Sequence, residues 1–309
     1  MVEWPRLATR PPQEHRMTTL NATLEGGLRY RGREGQWAFA LNRISGLATL
    51  FFLTLHILDT ATVYFLPSGY ETFVNLYRST PVMVSEIMLV AAVLYHGLNG
   101  YRIIYFDLKP ERWNARNSAR WFWGVCAGAF LLWLPAAYFM GRNIYLHNYC
   151  RCPPPGEPIV DLPAWADLGI WLLLAAALII FLRVVTLGRP AGGLRRDFEA
   201  WSWLFMRWSG ILLVPLVWIH VAISDVLVGA HAIDLDYVAM RWATLGWRVY
   251  DGFLLAFTFA HGLNGLRGMT SDYIHDPALR RLLNLAKLVV FVVWMILGMG
   301  ALIGGVRPE

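Results

Sequence analysis

His96-Gly-Leu-Asn-Gly100-Tyr-Arg102 recurs later in the chain as His261-Gly-Leu-Asn-Gly265-Leu-Arg267. Ahead of the first copy stand Arg43-Ile-Ser-Gly46 and then His56; ahead of the second stand Arg207-Trp-Ser-Gly210 and then His220. The interval from the arginine to the first histidine is the same in both, and the interval between the two histidines differs by a single residue. Self-similarity of this kind marks a duplicated structural unit. All four histidines lie in stretches apolar enough to cross a bilayer, where an imidazole without a partner is costly, so one explanation should cover them all.

Of the residues, 57% are hydrophobic and 16% charged, with 15 tryptophans and a mean hydropathy of +0.43. That is the profile of a polytopic membrane protein. The net charge of +6 comes from basic residues clustered just outside the apolar segments, where they set topology or meet lipid headgroups, so no nucleic-acid partner is expected. The first 42 residues hold arginines and glutamates without an apolar run, and read as a cytoplasmic segment rather than a cleaved signal. Three cysteines and no Cys-x-x-Cys-His exclude a covalent c-type haem and argue against an iron-sulfur cluster carried by this chain.

Apolar stretches long enough to span, roughly 20 residues each, run over 44–66, 82–106, 121–140, 165–187, 208–228, 248–270 and 285–305. The expected fold is therefore all-α, with seven transmembrane helices. Connections alternate between basic and acidic, which by the positive-inside rule sets the N-terminus in the cytoplasm and the C-terminus outside. Segment 165–187 has no histidine and matches neither repeat. As an extra linker helix it lets both three-helix repeats start on the cytoplasmic side, which makes them parallel about a twofold axis along the membrane normal. The division expected is 1–42 as the cytoplasmic segment, 43–141 as the first repeat, 142–200 as an external loop plus linker helix, and 201–309 as the second repeat.

At 1.5 Å per residue, His56 and His220 lie roughly 20 Å from Arg43 and Arg207, and His96 and His261 roughly 16 Å from Asp107 and Asp272 on helices running the other way. Two layers result. Under the twofold relation His96 faces His261 and His56 faces His220 across a four-helix core, and two facing histidines fill both axial positions of a haem iron. Two non-covalent b-type haems are expected, suited to electron transfer because no open coordination position remains. Gly97, Gly100, Gly262 and Gly265 would let a macrocycle or another helix approach closely.

At these residues the chain resembles the membrane anchor of succinate dehydrogenase and fumarate reductase, with two anchor subunits fused. The resemblance covers about 36–140 and 201–305, through Arg43-Ile-Ser-Gly46 and His96 to Asp107 in the first unit, and His261, Gly265 and Asp272-Tyr273 in the second. It implies that His96 and His261 hold a proximal haem and that His56 and His220 add a distal one. It also implies a quinone site at the cytoplasmic edge formed by Arg43, Asp272 and Tyr273. The family's serine one turn before that arginine is Phe39 here, which leaves Ser45 as the substitute candidate. Arg102, Arg207 and Arg267 are placed to reach haem propionates, with snorkelling to headgroups the ordinary alternative.

The same resemblance implies a flavoprotein (FAD) subunit and an iron-sulfur subunit docked on the cytoplasmic side of a prokaryotic cell membrane, and allows a higher oligomer of the whole complex. Menaquinone, with its low potential, is the quinone a two-haem anchor would suit. Dicarboxylate chemistry is not expected here, since the chain shows no Gly-x-Gly-x-x-Gly fingerprint. The rivals are a quinol:fumarate reductase anchor, the cytochrome b subunit of another respiratory dehydrogenase, and a haem-free structural anchor or transporter.

Glu86 and Asp251 each precede a proximal histidine by the same interval, and Asp59 and Asp225 lie just beyond the distal ones. Such acids mark either proton paths or hydrated helix ends. His147, Cys150 and Cys152 sit together before a proline run, an incomplete metal site at a spacing awkward for a disulfide between the two cysteines. They read as a loop feature. Cys126 reads as core packing, and His15, His231 and His275 as surface residues.

Overall fold

Four of the eight α-helices among the described residues start after a side chain that accepts from free backbone amides. Asn114, Asp197, Asp234 and Asp276 each do so, and Pro277 follows the last of them at a position where its missing N–H costs nothing. The computed structural model describes residues 33–150 and 197–306, with a few helical positions between 169 and 179. Its long helices are α1 (Glu34–Phe65), α3 (Thr80–Leu108), α4 (Ala115–Ile144), α5 (Phe198–Val221), α7 (Leu245–Tyr273) and α8 (Pro277–Gly304). Two short helices lie in the connections, α2 (Pro67–Tyr77) and α6 (Leu235–Ala243). No strand occurs among the described residues.

Five of these helices are long and apolar enough to cross a membrane: α1, α3, α4 and α5 with their continuations, and α8. α7 has the length, at 29 residues, but carries Arg248, Asp251, His261, Asn264 and Arg267 along it, so hydropathy alone does not single it out. The protein is thus an all-helical, multi-pass membrane protein. The expected linker helix over 165–187 lies largely outside the described residues. α1 begins at Glu34, ahead of the apolar run expected from 44, because an established helix propagates through polar residues that hydropathy does not count.

α1, α3, α5 and α7 form a closed ring, each in contact with the next, while α4 packs outside on α3 and α8 packs outside across α1 and α7. Indole N–H groups clip the outer helices to the ring: Trp133 donates to the Ile87 carbonyl at 2.8 Å and Trp294 to the Thr54 carbonyl at 2.9 Å. Inside the ring, Tyr250 donates to the Leu216 carbonyl at 2.6 Å, joining α7 to α5. Phe51, Leu131, Leu282, Ile296 and Ile303 point outward and are exposed, as side chains facing lipid should be. Pro135 and Pro215 interrupt helices whose freed carbonyls neighbouring groups must satisfy.

At one end of the ring, α4 and α5 run on into π-helical turns, Tyr145–Cys150 and Ala222–Val228, the second closed by Gly229 at φ +82°. A left-handed φ favours glycine. A Cβ there would also come within 2.9 Å of the Asn143 side chain.

Candidate functional site

All four repeated histidines fall on the ring helices and meet in two pairs. The rings of His56 on α1 and His220 on α5 lie 6.1 Å apart, centre to centre, at 66°; those of His96 on α3 and His261 on α7 lie 6.3 Å apart at 86°. With metal–imidazole bonds of about 2 Å, two imidazoles on opposite sides of one metal put their ring centres roughly 6 Å apart. Both pairs therefore fit an axial pair on a haem iron.

The His96–His261 pair is backed from the interiors of α1 and α5. Nδ1 of His96 lies 3.1 Å from the Asn42 carbonyl and 3.4 Å from Ser45 Oγ; Nδ1 of His261 lies 2.7 Å from Ser209 Oγ. Gly46 and Gly210 leave the imidazoles room: a Cβ on Gly46 would meet His96 Cε1 at 2.8 Å, and one on Gly210 would meet His261 Cε1 at 3.7 Å. The serine and glycine of Arg-x-Ser-Gly thus bear on the histidine of His-Gly-Leu-Asn-Gly, a link that spacing alone did not reveal. Ser45, expected at the quinone edge, is buried against His96.

The His56–His220 pair lines a cavity of about 300 Å³ with Asp59, Glu86, Asp225, Arg241 and Asp251 among its walls. Nδ1 of His220 is buried and makes no hydrogen bond among the described residues. Asp59 Oδ1 lies 3.6 Å from His56 Nδ1, while its Oδ2 is buried with no hydrogen bond of normal geometry among the described residues. Glu86 and Asp251, expected as equivalents, differ in surroundings. Asp251 accepts two hydrogen bonds from Arg241, at 2.7 and 3.0 Å, and one from Trp242 at 3.1 Å, so its charge is neutralised in a buried pair. Arg241 carried no signal in the repeat because it lies on α6, outside the repeated Arg-x-Ser-Gly and His-Gly-Leu-Asn-Gly letters.

The arginines pair with aspartates on neighbouring helices of the ring. Arg43 on α1 forms an ion pair with Asp272 on α7 and donates to Tyr273 Oη at 3.0 Å. Arg207 on α5 donates twice to Asp107 on α3, at 2.7 and 3.0 Å. The two contacts are the same with the halves exchanged, except that Tyr273 has Leu108 as its counterpart. Arg102 is buried, donating to Ser118 Oγ at 2.6 Å, and Arg267 is held by Glu199 and Ser202. All three arginines expected at propionates have protein partners here.

Away from the histidine pairs, the expectation for His231 as a plain surface residue is corrected. Its ring stacks on His147 at 4.1 Å with Nε2 buried, because the π turn after α4 carries His147 over the turn that follows α5. Arg78 donates to the His231 carbonyl from α2's end. Cys150 is disulfide-bonded, which removes its thiol as a metal donor; Cys152 lies outside the described residues.

A family model described as succinate dehydrogenase/fumarate reductase transmembrane subunit matches residues 20–136 and 186–297. The succinate dehydrogenase 2 membrane subunit SdhC of Mycobacterium tuberculosis is 35% identical over 136 residues, which is 42% of this chain and 98% of that protein. With most of its length matched by the model and a relative covered almost end to end, the chain belongs to the succinate dehydrogenase/fumarate reductase transmembrane subunit family.

Proposed function

We propose that this chain is the di-haem cytochrome b anchor of a succinate:quinone oxidoreductase, passing electrons between the iron-sulfur subunit and membrane quinone. The observation that carries the reading is the meeting of four repeated histidines as two pairs, at 6.1 and 6.3 Å, inside one ring of helices. His96 and His261 would hold the proximal haem, His56 and His220 the distal one. Bound between such pairs, haem b supplies an iron that exchanges single electrons and has no open position for oxygen. The chain's part is to hold the imidazoles in place, as the Asn42 carbonyl does at His96 Nδ1 and Ser209 at His261 Nδ1.

Quinone would bind at the cytoplasmic edge, where the Arg43 guanidinium and the Tyr273 hydroxyl already converge and can both donate to a quinone carbonyl. Asp272 holds Arg43 in place for this. In this reading the units 43–141 and 201–309 are parallel repeats, a view supported by the crossed Arg43–Asp272 and Arg207–Asp107 pairs and by the two matched stretches. Residues 142–200 would supply an external loop and a seventh, linker helix, and 1–42 a cytoplasmic segment facing the flavoprotein and iron-sulfur subunits. Menaquinone is the quinone proposed, and a prokaryotic cell membrane the location.

A redox-titrated optical spectrum of the purified complex tests the proposal. Two b-type components are expected, one lost in His56→Ala and the other perturbed in His96→Ala. A single component indifferent to His56 and His220 would leave only a one-haem anchor.

A further inference from the structure

We propose that Ser209 is a positioning residue for the proximal ligand His261, its hydroxyl accepting the Nδ1 proton and thereby setting the tautomer and donor strength of that imidazole. The inference rests on the bis-histidine reading above and goes beyond it.

Ser209 is 1% exposed, in the interior of α5. Its Oγ lies 2.6 Å from the Phe205 carbonyl and 2.7 Å from His261 Nδ1. A carbonyl only accepts, and a hydroxyl has one proton to give. That proton goes to Phe205, so Oγ faces His261 with a lone pair and Nδ1 must carry its hydrogen. Nε2 is then the nitrogen with the free lone pair, the form in which imidazole binds a metal.

The other half reaches the same tautomer by a different route. Nδ1 of His96 lies 3.1 Å from the Asn42 carbonyl, which can only accept, and Ser45 donates to that same carbonyl at 3.2 Å. The contact between Ser45 Oγ and His96 Nδ1 is the longer one, at 3.4 Å. His96 is therefore oriented by backbone, and His261 by a side chain that can be replaced. A short hydrogen bond from Nδ1–H to oxygen makes the imidazole a stronger donor and favours ferric over ferrous iron. Removing it should raise the midpoint potential of the proximal haem.

The test is a redox titration with EPR of the intact complex. Ser209→Ala is expected to raise the potential of the proximal b component and to shift the g-values of its low-spin ferric signal, with the distal component unmoved. Ser209→Thr, which keeps the hydroxyl, should restore both. Ser45→Ala should move the potential much less, because the Asn42 carbonyl remains. If Ser209→Ala does not retain haem, Ser209→Cys, a weaker acceptor of similar volume, should show the rise. Wild-type potential and EPR in whichever of these two variants keeps both haems overturns the role of Ser209 alone. A wild-type complex with no b-type absorbance would overturn the bis-histidine reading itself.

Discussion

Gly46 leaves His96 the space it occupies, and the two glycines of the repeated motif are not equally constrained. A methyl on Gly46 would stand 2.8 Å from the imidazole, too close for either to stay put, whereas on Gly210 it would make ordinary contact at 3.7 Å. Gly46→Ala should therefore displace His96 and weaken or remove one b component in the optical spectrum, while Gly210→Ala should leave the spectrum nearly unchanged; equal effects would contradict this packing. His231 offers a second test, outside the membrane. Burial first, then the positive fields of His147 and Arg78, hold its imidazole down to about 4 from 6.5. The folded turn favours the neutral ring, so its stability is full above 6.5 and drains away as pH falls toward 4. Amide exchange over 229–233 should quicken across that window, and His231→Gln should flatten the dependence. The motif letters were legible in the sequence; that a serine from one helix reaches a histidine on another was not, since only packing brings them within hydrogen-bond distance.

Among the elements, α6 is tied to α7 by a buried ion pair, Arg241 with Asp251, both side chains largely sealed. Breaking such a pair from one side costs about 3–5 kcal/mol, because the other charge stays buried without its partner. Asp251→Asn should lower the thermal midpoint of the complex markedly, and the double change Arg241→Met with Asp251→Leu should recover much of it. A midpoint unchanged in Asp251→Asn would mean the pair is hydrated rather than sealed. Helix existence was legible from apolar runs of bilayer length. Helix ends were less so: α1 starts at Glu34 and the π turns after α4 and α5 follow no hydropathy signal. Ends depend on caps and on contacts with neighbouring turns, which composition does not encode.

For the whole molecule, the crossed arginine–aspartate pairs close the ring of four helices at one end. They differ in what lies beside them, Tyr273 next to Asp272 and Leu108 next to Asp107. If quinone binds between Arg43 and Tyr273, Arg43→Ala should lower kcat/KM for quinone by about tenfold or more, the worth of one charge-assisted hydrogen bond. Arg207→Ala, which breaks a partly exposed pair with no phenol beside it, should change it by less than about threefold, as such pairs are weak. Equal losses in steady-state assays would argue against a site that draws unequally on the two halves.

The sequence by itself determined that this is an all-helical membrane protein with a duplicated set of histidines, because bilayer thickness demands long apolar runs and a repeat is visible as identical letters at identical intervals. It also determined the family, since those letters are what a family shares. The pairing of His96 with His261 and of His56 with His220 was also legible, from the repeat and its parallel topology; only the tertiary structure decided how close the paired rings come, that Ser209 and Ser45 back them by different chemistry, and that Asp251 is locked to Arg241 while Glu86 faces the cavity. Those outcomes turn on distances of a few ångströms between side chains far apart in the chain, set by how ridges of one helix seat against another, and no local pattern carries that information.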